Sequence, residues 1–312
     1  MIHQELRDPE HSARLAGLAP DGVTIFTLEG DSIRGALVSS TRMTALMAQA
    51  HELGPLETLV LGKAFCAAAL LSVTLKGNDR LSLKAEGSGP AQGYVVECSA
   101  DGSVRGRLFA APFDMSSLPE HFDSGDLVGP GSLSITRLLA GRTQPVSGLA
   151  AAQTGRLAED LAYYYQVSEQ LRTSFTLSAH FDDSGRVAGA GGLYLQALPF
   201  ASDEALDRVE RLVYGLPSLG ETFATGASRM DVCLRSFPFF DFNMLDERPV
   251  RFLCPCDRER MSSFIAALPE AELVDLAEHG PFPVELRCHN CNSNYRYKKD
   301  EIKAILEANR LH

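Results

Sequence analysis

Residues 254–256 are Cys254-Pro-Cys256 and residues 288–291 are Cys288-His-Asn-Cys291, with the 31 residues from 257 to 287 between them. Two close cysteine pairs separated by the length of a small domain are typical of a tetrahedral zinc site, because each pair supplies two ligands from one turn. The spacing therefore predicts one Zn²⁺ ion held by Cys254, Cys256, Cys288 and Cys291, a set called the four-cysteine cluster below. A metal-free set of reduced thiols, or a site in which His289 replaces one cysteine, is the alternative.

The segment that contains these cysteines, residues 254–312, has few large apolar side chains. A core of that size is marginal without a staple. Zinc binding at structural sites contributes about 10–16 kcal/mol, comparable with the whole stability of a domain, about 5–15 kcal/mol. Loss of zinc is therefore predicted to unfold the segment. Thiolates are also the form of cysteine that oxidants attack, but the spacing alone favours an inert zinc ribbon over an oxidation-sensitive switch.

The residues before this segment predict an α+β domain. Alternating apolar residues on both sides of Glu29-Gly30-Asp31 indicate a β-hairpin. Ser40 or Thr41 is predicted to cap a helix that follows, and residues 56–75 are apolar on most sides, which is typical of a helix buried under a sheet. Further strand-like runs, a helix near residues 156–171 and a hairpin around Ser184-Gly185 complete the pattern.

The pattern of apolar and charged residues changes after residue 200, and the sequence predicts that the chain has three parts. Residues 1–199 form the α+β core domain, residues 200–253 a helical connector, and residues 254–312 the small zinc-binding domain. In the connector, Leu206, Val209 and Leu212 recur at helical spacing, and a phenylalanine-rich stretch follows at 237–242. These apolar groups must pack somewhere, or serve as a binding surface.

Composition narrows the classes of partner. The chain has 312 residues, of which 45% are hydrophobic, and its 29 Lys and Arg against 40 Asp and Glu give a net charge of −11. With no dense basic cluster, a nucleic-acid partner is not expected. The N-terminus lacks the apolar region of a signal peptide, and the uninterrupted apolar run 64–71 is too short to span a bilayer. We therefore expect a cytoplasmic protein without a membrane partner.

In the cytoplasm structural disulfides are rare, so the seven cysteines are interpreted as metal ligands, redox thiols or core residues. Cys66 lies among alanines and is predicted to be a buried small apolar residue. Cys98 and Cys233 have no close cysteine partner and are not assigned to the switch. The eight histidines are scattered and form no recognisable Ser/His/Asp set, so we do not expect an enzyme.

Several stretches resemble one known family. CPCDRERM (254–261), the 31-residue gap and the closing CHNC (288–291) resemble the redox-switch domain of the thirty-three-kilodalton heat-shock chaperonins. The resemblance extends through the core to four upstream stretches: GKAFCAAALLSVTLKG (62–77), LSLKAEGSGP (81–90), YYYQVSEQLRTSF (163–175) and GAGGLYLQALP (189–199). The sequence departs from the family at the N-terminus, at 112–148 and in the connector.

The resemblance implies a redox-regulated, ATP-independent holdase of the stress response. It implies that the reduced protein binds zinc and is inactive, and that oxidation forms the disulfides Cys254–Cys256 and Cys288–Cys291 and releases zinc. The connector would then loosen and expose a surface for unfolding client proteins, with a homodimer in the oxidised state. Two other hypotheses remain: a static zinc-ribbon binding protein, and a thiol-disulfide oxidoreductase that uses Cys288 and Cys291 but leaves the first cysteine pair unexplained.

Overall fold

The computed structural model describes residues 5–117 and 123–310, which form a mixed α+β protein, as predicted. The strands are β1 (Gly22–Leu28), β2 (Ile33–Ser39), β3 (Arg80–Gly87), β4 (Gly93–Ser99), β5 (Ser103–Leu108), β6 (Gly131–Leu138), β7 (Val146–Ala152), β8 (Thr173–Phe181), β9 (Val187–Ala197), β10 (Phe242–Pro249), β11 (Arg251–Phe252), β12 (Val284–Arg287) and β13 (Asn294–Tyr297). The helices are α1 (Pro9–Ala16), α2 (Thr41–His51), α3 (Pro55–Leu71), α4 (Leu157–Tyr164), α5 (Asp203–Gly215), α6 (Leu219–Ala224), α7 (Arg229–Ser236), α8 (Arg258–Ala266), α9 (Glu270–His279) and α10 (Lys299–Arg310).

The chain separates into two compact units, a larger one from Glu5 to Phe252 and a smaller one from Leu253 onward. In the larger unit, the strands form a five-stranded sheet in the order β10-β1-β2-β9-β8 and a six-stranded sheet in the order β11-β5-β4-β3-β6-β7. Neighbouring strands in the described residues are antiparallel, apart from the parallel pair β11 and β5. The three-part division at 199 and 253 remains a prediction.

Helix α3 is the centre of the larger unit and contacts strands of both sheets. Every residue from Ala64 to Leu71 is fully buried, which confirms the predicted core helix. With the turn that follows it, the stretch Pro55–Thr74 is long and apolar enough to cross a membrane by length and composition, whereas the uninterrupted apolar run 64–71 is too short. Since 78% of its most apolar window is buried inside the protein, packing between the sheets accounts for that composition.

The start of helix α2 differs from the prediction. Ser40 occupies the N-cap position, but its hydroxyl makes no capping hydrogen bond, and the Thr41 hydroxyl accepts instead from the backbone N–H of Ala190 at 3.0 Å. The Asp21 carboxylate, from the segment before β1, accepts from the backbone N–H of Met43 at 2.7 Å. A side chain distant in sequence therefore satisfies one of the free N–H groups that every helix start presents.

The connector is helical only in part. Helices α5, α6 and α7 lie within 203–236, but 242–249 forms strand β10, which pairs antiparallel with β1, so the prediction of a wholly helical segment is wrong there. The apolar groups of the connector pack on the five-stranded sheet: Val209 and Phe237 are buried in one cluster with Phe26. Phe239, by contrast, is 85% exposed.

The smaller unit contains helices α8, α9 and α10 and the hairpin of β12 and β13. Its buried aliphatic residues are few: Met261, Ile265, Leu273, Ala277, Val284 and Ile302. Phe264, one of the few large apolar side chains of this unit, is 60% exposed. The unit therefore has the small core that its composition predicted.

Candidate metal centre

Two segments of the smaller unit bring the cysteines together. Cys254 and Cys256 lie in the extended segment that precedes α8, whose first turn is capped by Asp257. Cys288 and Cys291 lie in the turn that joins β12 to β13. That turn is closed by a hydrogen bond from the Cys288 N–H to the Ser293 carbonyl at 2.9 Å, and by a left-handed backbone at Asn292, with φ of 58°.

The four sulfur atoms converge on one point. All of them lie within 4.8 Å of one another, with Cys254 Sγ 3.7 Å from Cys288 Sγ and Cys256 Sγ 3.2 Å from Cys291 Sγ. A tetrahedral zinc ion with Zn–S bonds of about 2.3 Å requires sulfurs about 3.8 Å apart. The cluster is therefore close to the dimensions of a zinc site.

The chemistry of the donor set agrees with those dimensions. The four cysteines are at most 9% exposed, and the group contains sulfur ligands alone, which suit Zn²⁺ and other thiophilic metals rather than Mg²⁺ or Ca²⁺. His289 is exposed and is not part of the group, so the geometry favours the four cysteines over the alternative in which His289 replaces one of them. The residues present can hold one metal ion, and they fit zinc.

Hydrogen bonds make the sulfurs electrostatically unequal. The pKa of Cys254 is well below its usual value because the Cys288 and Cys291 thiols donate hydrogen bonds to its sulfur. The same contact raises the pKa of Cys288 to about 11, since Cys288 holds the shared proton. One of the four cysteines is thus stabilised as a thiolate, which is the form in which cysteine binds a metal.

Side chains outside the cluster also contact the sulfurs. The Tyr295 hydroxyl donates to Cys256 Sγ at 3.1 Å, and the Ser293 hydroxyl lies 3.2 Å from Cys291 Sγ. Burial, then the hydrogen bond to Cys256, raises the pKa of Tyr295. Neither residue is among those that the cysteine pattern predicts. The available signal was their position two to four residues after the last cysteine, where a hairpin strand turns back beside the ligands.

Arg258 follows the first cysteine pair and contacts other elements of the smaller unit. Its guanidinium lies 4.6 Å from the ring centroid of Tyr297 and donates to the carbonyl of Arg296 at 2.7 Å and to the carboxylate of Glu301 at 2.5 Å. Arg258 therefore joins the start of α8 to β13 and α10.

The other three cysteines lie in the larger unit and are buried apart from the cluster. Cys66 and Cys233 are fully buried and Cys98 is 3% exposed. Burial raises the pKa of Cys66 and of Cys233 to about 12, and it also raises the pKa of Cys98. A thiol with a raised pKa is a poor nucleophile at neutral pH. The prediction that Cys66 is a buried apolar residue is confirmed.

Known proteins are similar to this chain in both sequence and fold. The family model described as Hsp33 protein matches residues 21–298. A 33 kDa chaperonin of Desulforamulus reducens is 34% identical over 86% of this chain and 92% of its own length, and one of Lachnoclostridium phytofermentans is 30% identical over 92% and 98%. The crystal structure of the 33 kDa chaperonin of Thermotoga maritima, a heat shock protein 33 homolog, superimposes with a TM-score of 0.83 at 28% identity, covering 94% of this chain and all of that one.

Proposed function

The chain belongs to the Hsp33 protein family, and from that membership we propose that it is a redox-regulated, ATP-independent chaperone that holds unfolding proteins. The relatives named above are called 33 kDa chaperonins, which supports the chaperone activity. The observation that carries the regulation is the buried cluster of four sulfurs in a unit with a small apolar core. We expect no enzymatic activity.

In the reduced state, we propose that Cys254, Cys256, Cys288 and Cys291 bind one Zn²⁺ ion as thiolates. When bound, the ion cross-links the segment before α8 to the β12–β13 turn, a contribution of about 10–16 kcal/mol at structural sites. The four cysteines are buried, which keeps water away from the site. The protein is inactive in this state.

Oxidation removes the ligands. With hypochlorite, or with peroxide under mild unfolding, Cys254 pairs with Cys256 and Cys288 with Cys291. Each disulfide forms with the loss of two electrons from its two sulfurs to the oxidant, which is reduced, and no thiolate remains to hold a metal. The few buried aliphatic residues of the smaller unit cannot keep it folded without that cross-link.

The connector follows because it is continuous with the smaller unit: Phe252 ends β11 and Leu253 is the next residue. Once the smaller unit unfolds, the connector loosens from the five-stranded sheet. Val209 and Phe237 are buried, and Leu206 and Leu212 partly buried, so loosening would expose apolar surface to unfolding client proteins. We propose dimerisation in that state, a cytoplasmic location and the domain boundaries at 199 and 253, with neither a nucleic-acid nor a membrane partner.

The test follows one preparation through oxidation. Reduced, zinc-loaded protein is treated with hypochlorite while zinc release, circular dichroism and suppression of a client's aggregation are recorded. All three should change together. Retention of zinc, or its loss without a gain in holdase activity, would contradict the proposal and leave a static zinc-ribbon protein. Turnover of a disulfide substrate would instead indicate an oxidoreductase.

Two variants make the test specific to the cluster. Cys288→Ser should weaken zinc binding and make the oxidative gain of activity disappear, because it removes one ligand and one disulfide partner. Cys66→Ala removes a buried thiol of the larger unit and should leave zinc content and the oxidative response unchanged. A response of the second variant equal to that of the first would show that the cluster is not the sensor.

A further inference from the structure

Tyr295 and Tyr297 lie on the same face of strand β13, since side chains two residues apart in a strand point the same way. Both are buried, at 8% and 2% exposed. Their hydroxyls have different partners: Tyr295 donates to Cys256 Sγ at 3.1 Å, and Tyr297 donates to the Arg258 carbonyl at 2.7 Å. Two matched tyrosines therefore differ mainly in whether the hydroxyl contacts a cysteine sulfur.

Among backbone donors, each of the other three sulfurs is contacted by an N–H group close to it in sequence. The Cys256 N–H donates to Cys254 Sγ, the Asn290 N–H to Cys288 Sγ, and the Ser293 N–H to Cys291 Sγ. The donor to Cys256 Sγ comes from β13, on the opposite segment of the unit. Tyr295 therefore contacts Cys256, a ligand that lies on the other cysteine segment of the unit.

The hydrogen bond from the Tyr295 hydroxyl is expected to make the Cys256 thiolate less nucleophilic. A thiolate that accepts a hydrogen bond has a less basic lone pair, and the nucleophilicity of thiolates falls with their basicity. Oxidation of Cys256 therefore requires that its hydrogen bond to Tyr295 first be weakened.

We propose that Tyr295 is a positioning residue whose hydrogen bond to Cys256 Sγ slows the oxidation of Cys256 in the folded protein. This inference rests on the proposed function, whose regulation it assigns to a residue outside the ligand set. The affected step is attack of the Cys256 thiolate on a peroxide oxygen. The O–O bond breaks, Cys256 becomes a sulfenic acid and hydroxide leaves.

The second step completes the reaction. The Cys254 thiolate attacks the sulfenic sulfur, the Cys254–Cys256 bond forms, and a second hydroxide leaves. Across the two steps the sulfurs lose two electrons and the peroxide gains two. Only in the first step is the Cys256 thiolate the nucleophile, so the effect of the hydroxyl is expected on the rate at which Cys256 is first modified.

The experiment compares Tyr295→Phe with Tyr297→Phe in the reduced, zinc-loaded full chain. Each protein is exposed to hydrogen peroxide, quenched at intervals with an alkylating reagent, and digested for mass spectrometry of the individual cysteines. Tyr295→Phe should modify Cys256 about three- to tenfold faster than the unchanged protein, the range expected for removing one hydrogen bond to a thiolate. Tyr297→Phe should leave the Cys256 rate unchanged. Neither variant should change the rate at which Cys66 is modified.

Denaturant supplies an internal check. In urea the hydroxyl no longer lies near Cys256, and Tyr295→Phe should then react at the rate of the unchanged protein. An increase confined to Cys256 in the folded protein supports the inference.

Several outcomes would overturn it: an unchanged or slower rate at Cys256, an equal increase at all four ligands, or the same increase in both tyrosine variants. Failure of Tyr295→Phe to retain zinc would do so too, since the hydroxyl would then be needed for assembly. The proposed function fails separately, when the unchanged protein gains no holdase activity on oxidation. The ratio of Cys256 rates is measurable in either case.

Discussion

Asp21 lies before β1, whereas the helix that it caps, α2, follows β2. Sequence rules for helix starts consider only the residues next to the helix, so they selected Ser40 or Thr41, which have the right side chains in the right place. The long-range partner has no local signal. For the cysteines the opposite holds, because their residue type and spacing alone predicted the group that the structure brings together.

Burial of Asp21 has a consequence for stability. Burial raises the pKa of Asp21 to about 6, although hydrogen bonds from the backbone at α2 oppose the shift. Because the folded state binds this proton more tightly than the unfolded chain, the stabilising contribution is full below pH 4 and is lost as pH rises through 6. The loss amounts to about 3 kcal/mol at pH 7.

Asp21→Asn keeps an oxygen acceptor for the Met43 N–H and removes the charge. Its free energy of unfolding relative to the unchanged protein should therefore rise between pH 4 and pH 7, by an amount of the order of 3 kcal/mol. Urea titrations followed by circular dichroism at several pH values measure this difference, and taking the difference cancels the pH dependence of the cysteine cluster. Asp207→Asn, at an exposed position on α5, is the control. Parallel pH profiles for Asp21→Asn and the unchanged protein would contradict the assignment.

At the scale of elements, the connector is where sequence and structure differ most. Leu206, Val209 and Leu212 predicted α5 through their helical spacing. The phenylalanine-rich stretch that follows leads instead into β10, which pairs with β1 in the register Gly22↔Pro249. Pairing between strands so far apart in sequence is determined by the sheet edge that is available, which periodicity within a short window does not report.

Replacement of Phe237 tests how strongly the connector is held against the five-stranded sheet. Its ring centroid lies 5.2 Å from that of Phe26, and the side chain is 3% exposed. Phe237→Ala removes a buried aromatic ring, a change that costs about 3–5 kcal/mol. If the connector masks the client-binding surface, the reduced variant should suppress client aggregation without any oxidant.

Phe239→Ala is the matched control, since Phe239 lies two residues further on and is 85% exposed. It should leave the reduced protein inactive. Hydrogen exchange at 242–249 should be faster in Phe237→Ala alone. Faster exchange without activity would show that opening the connector does not create the client-binding surface.

At the scale of the whole molecule, the two units should differ in their dependence on metal. A zinc chelator added under reducing conditions should unfold the smaller unit, because its core is small and the metal links its two cysteine segments. The larger unit, with α3 buried between two sheets, should remain folded. Hydrogen exchange followed by mass spectrometry should show loss of protection in α8, α9 and α10 and full protection in α3.

Return of zinc to the chelated sample should restore protection, which separates metal loss from damage. Protection retained in α8 would mean that the unit folds without metal. Loss of protection in α3 would mean that the two units do not unfold independently.

The sequence predicted the core helix and the four-cysteine cluster more successfully than it predicted the connector. An apolar helix and alternating strands indicate a large core, and four cysteines among few apolar residues predict a metal-dependent unit; both are properties of composition over tens of residues. The order of strands in the two sheets depends on pairings between distant segments. Local patterns do not determine such pairings.

The distances between the sulfurs also have a topological consequence. The two close approaches, Cys254 to Cys288 and Cys256 to Cys291, join residues 34 and 35 positions apart in the chain. A covalent link across such a loop would remove chain entropy from the denatured ensemble worth about 4 kcal/mol, against about 2 kcal/mol for a ring of three or four residues. Links between the segments would act as a lock on the folded unit, whereas links within each segment leave the two ends free to diffuse apart. The choice of partner among four neighbouring sulfurs therefore decides whether the same chemical event fastens this part of the chain or releases it.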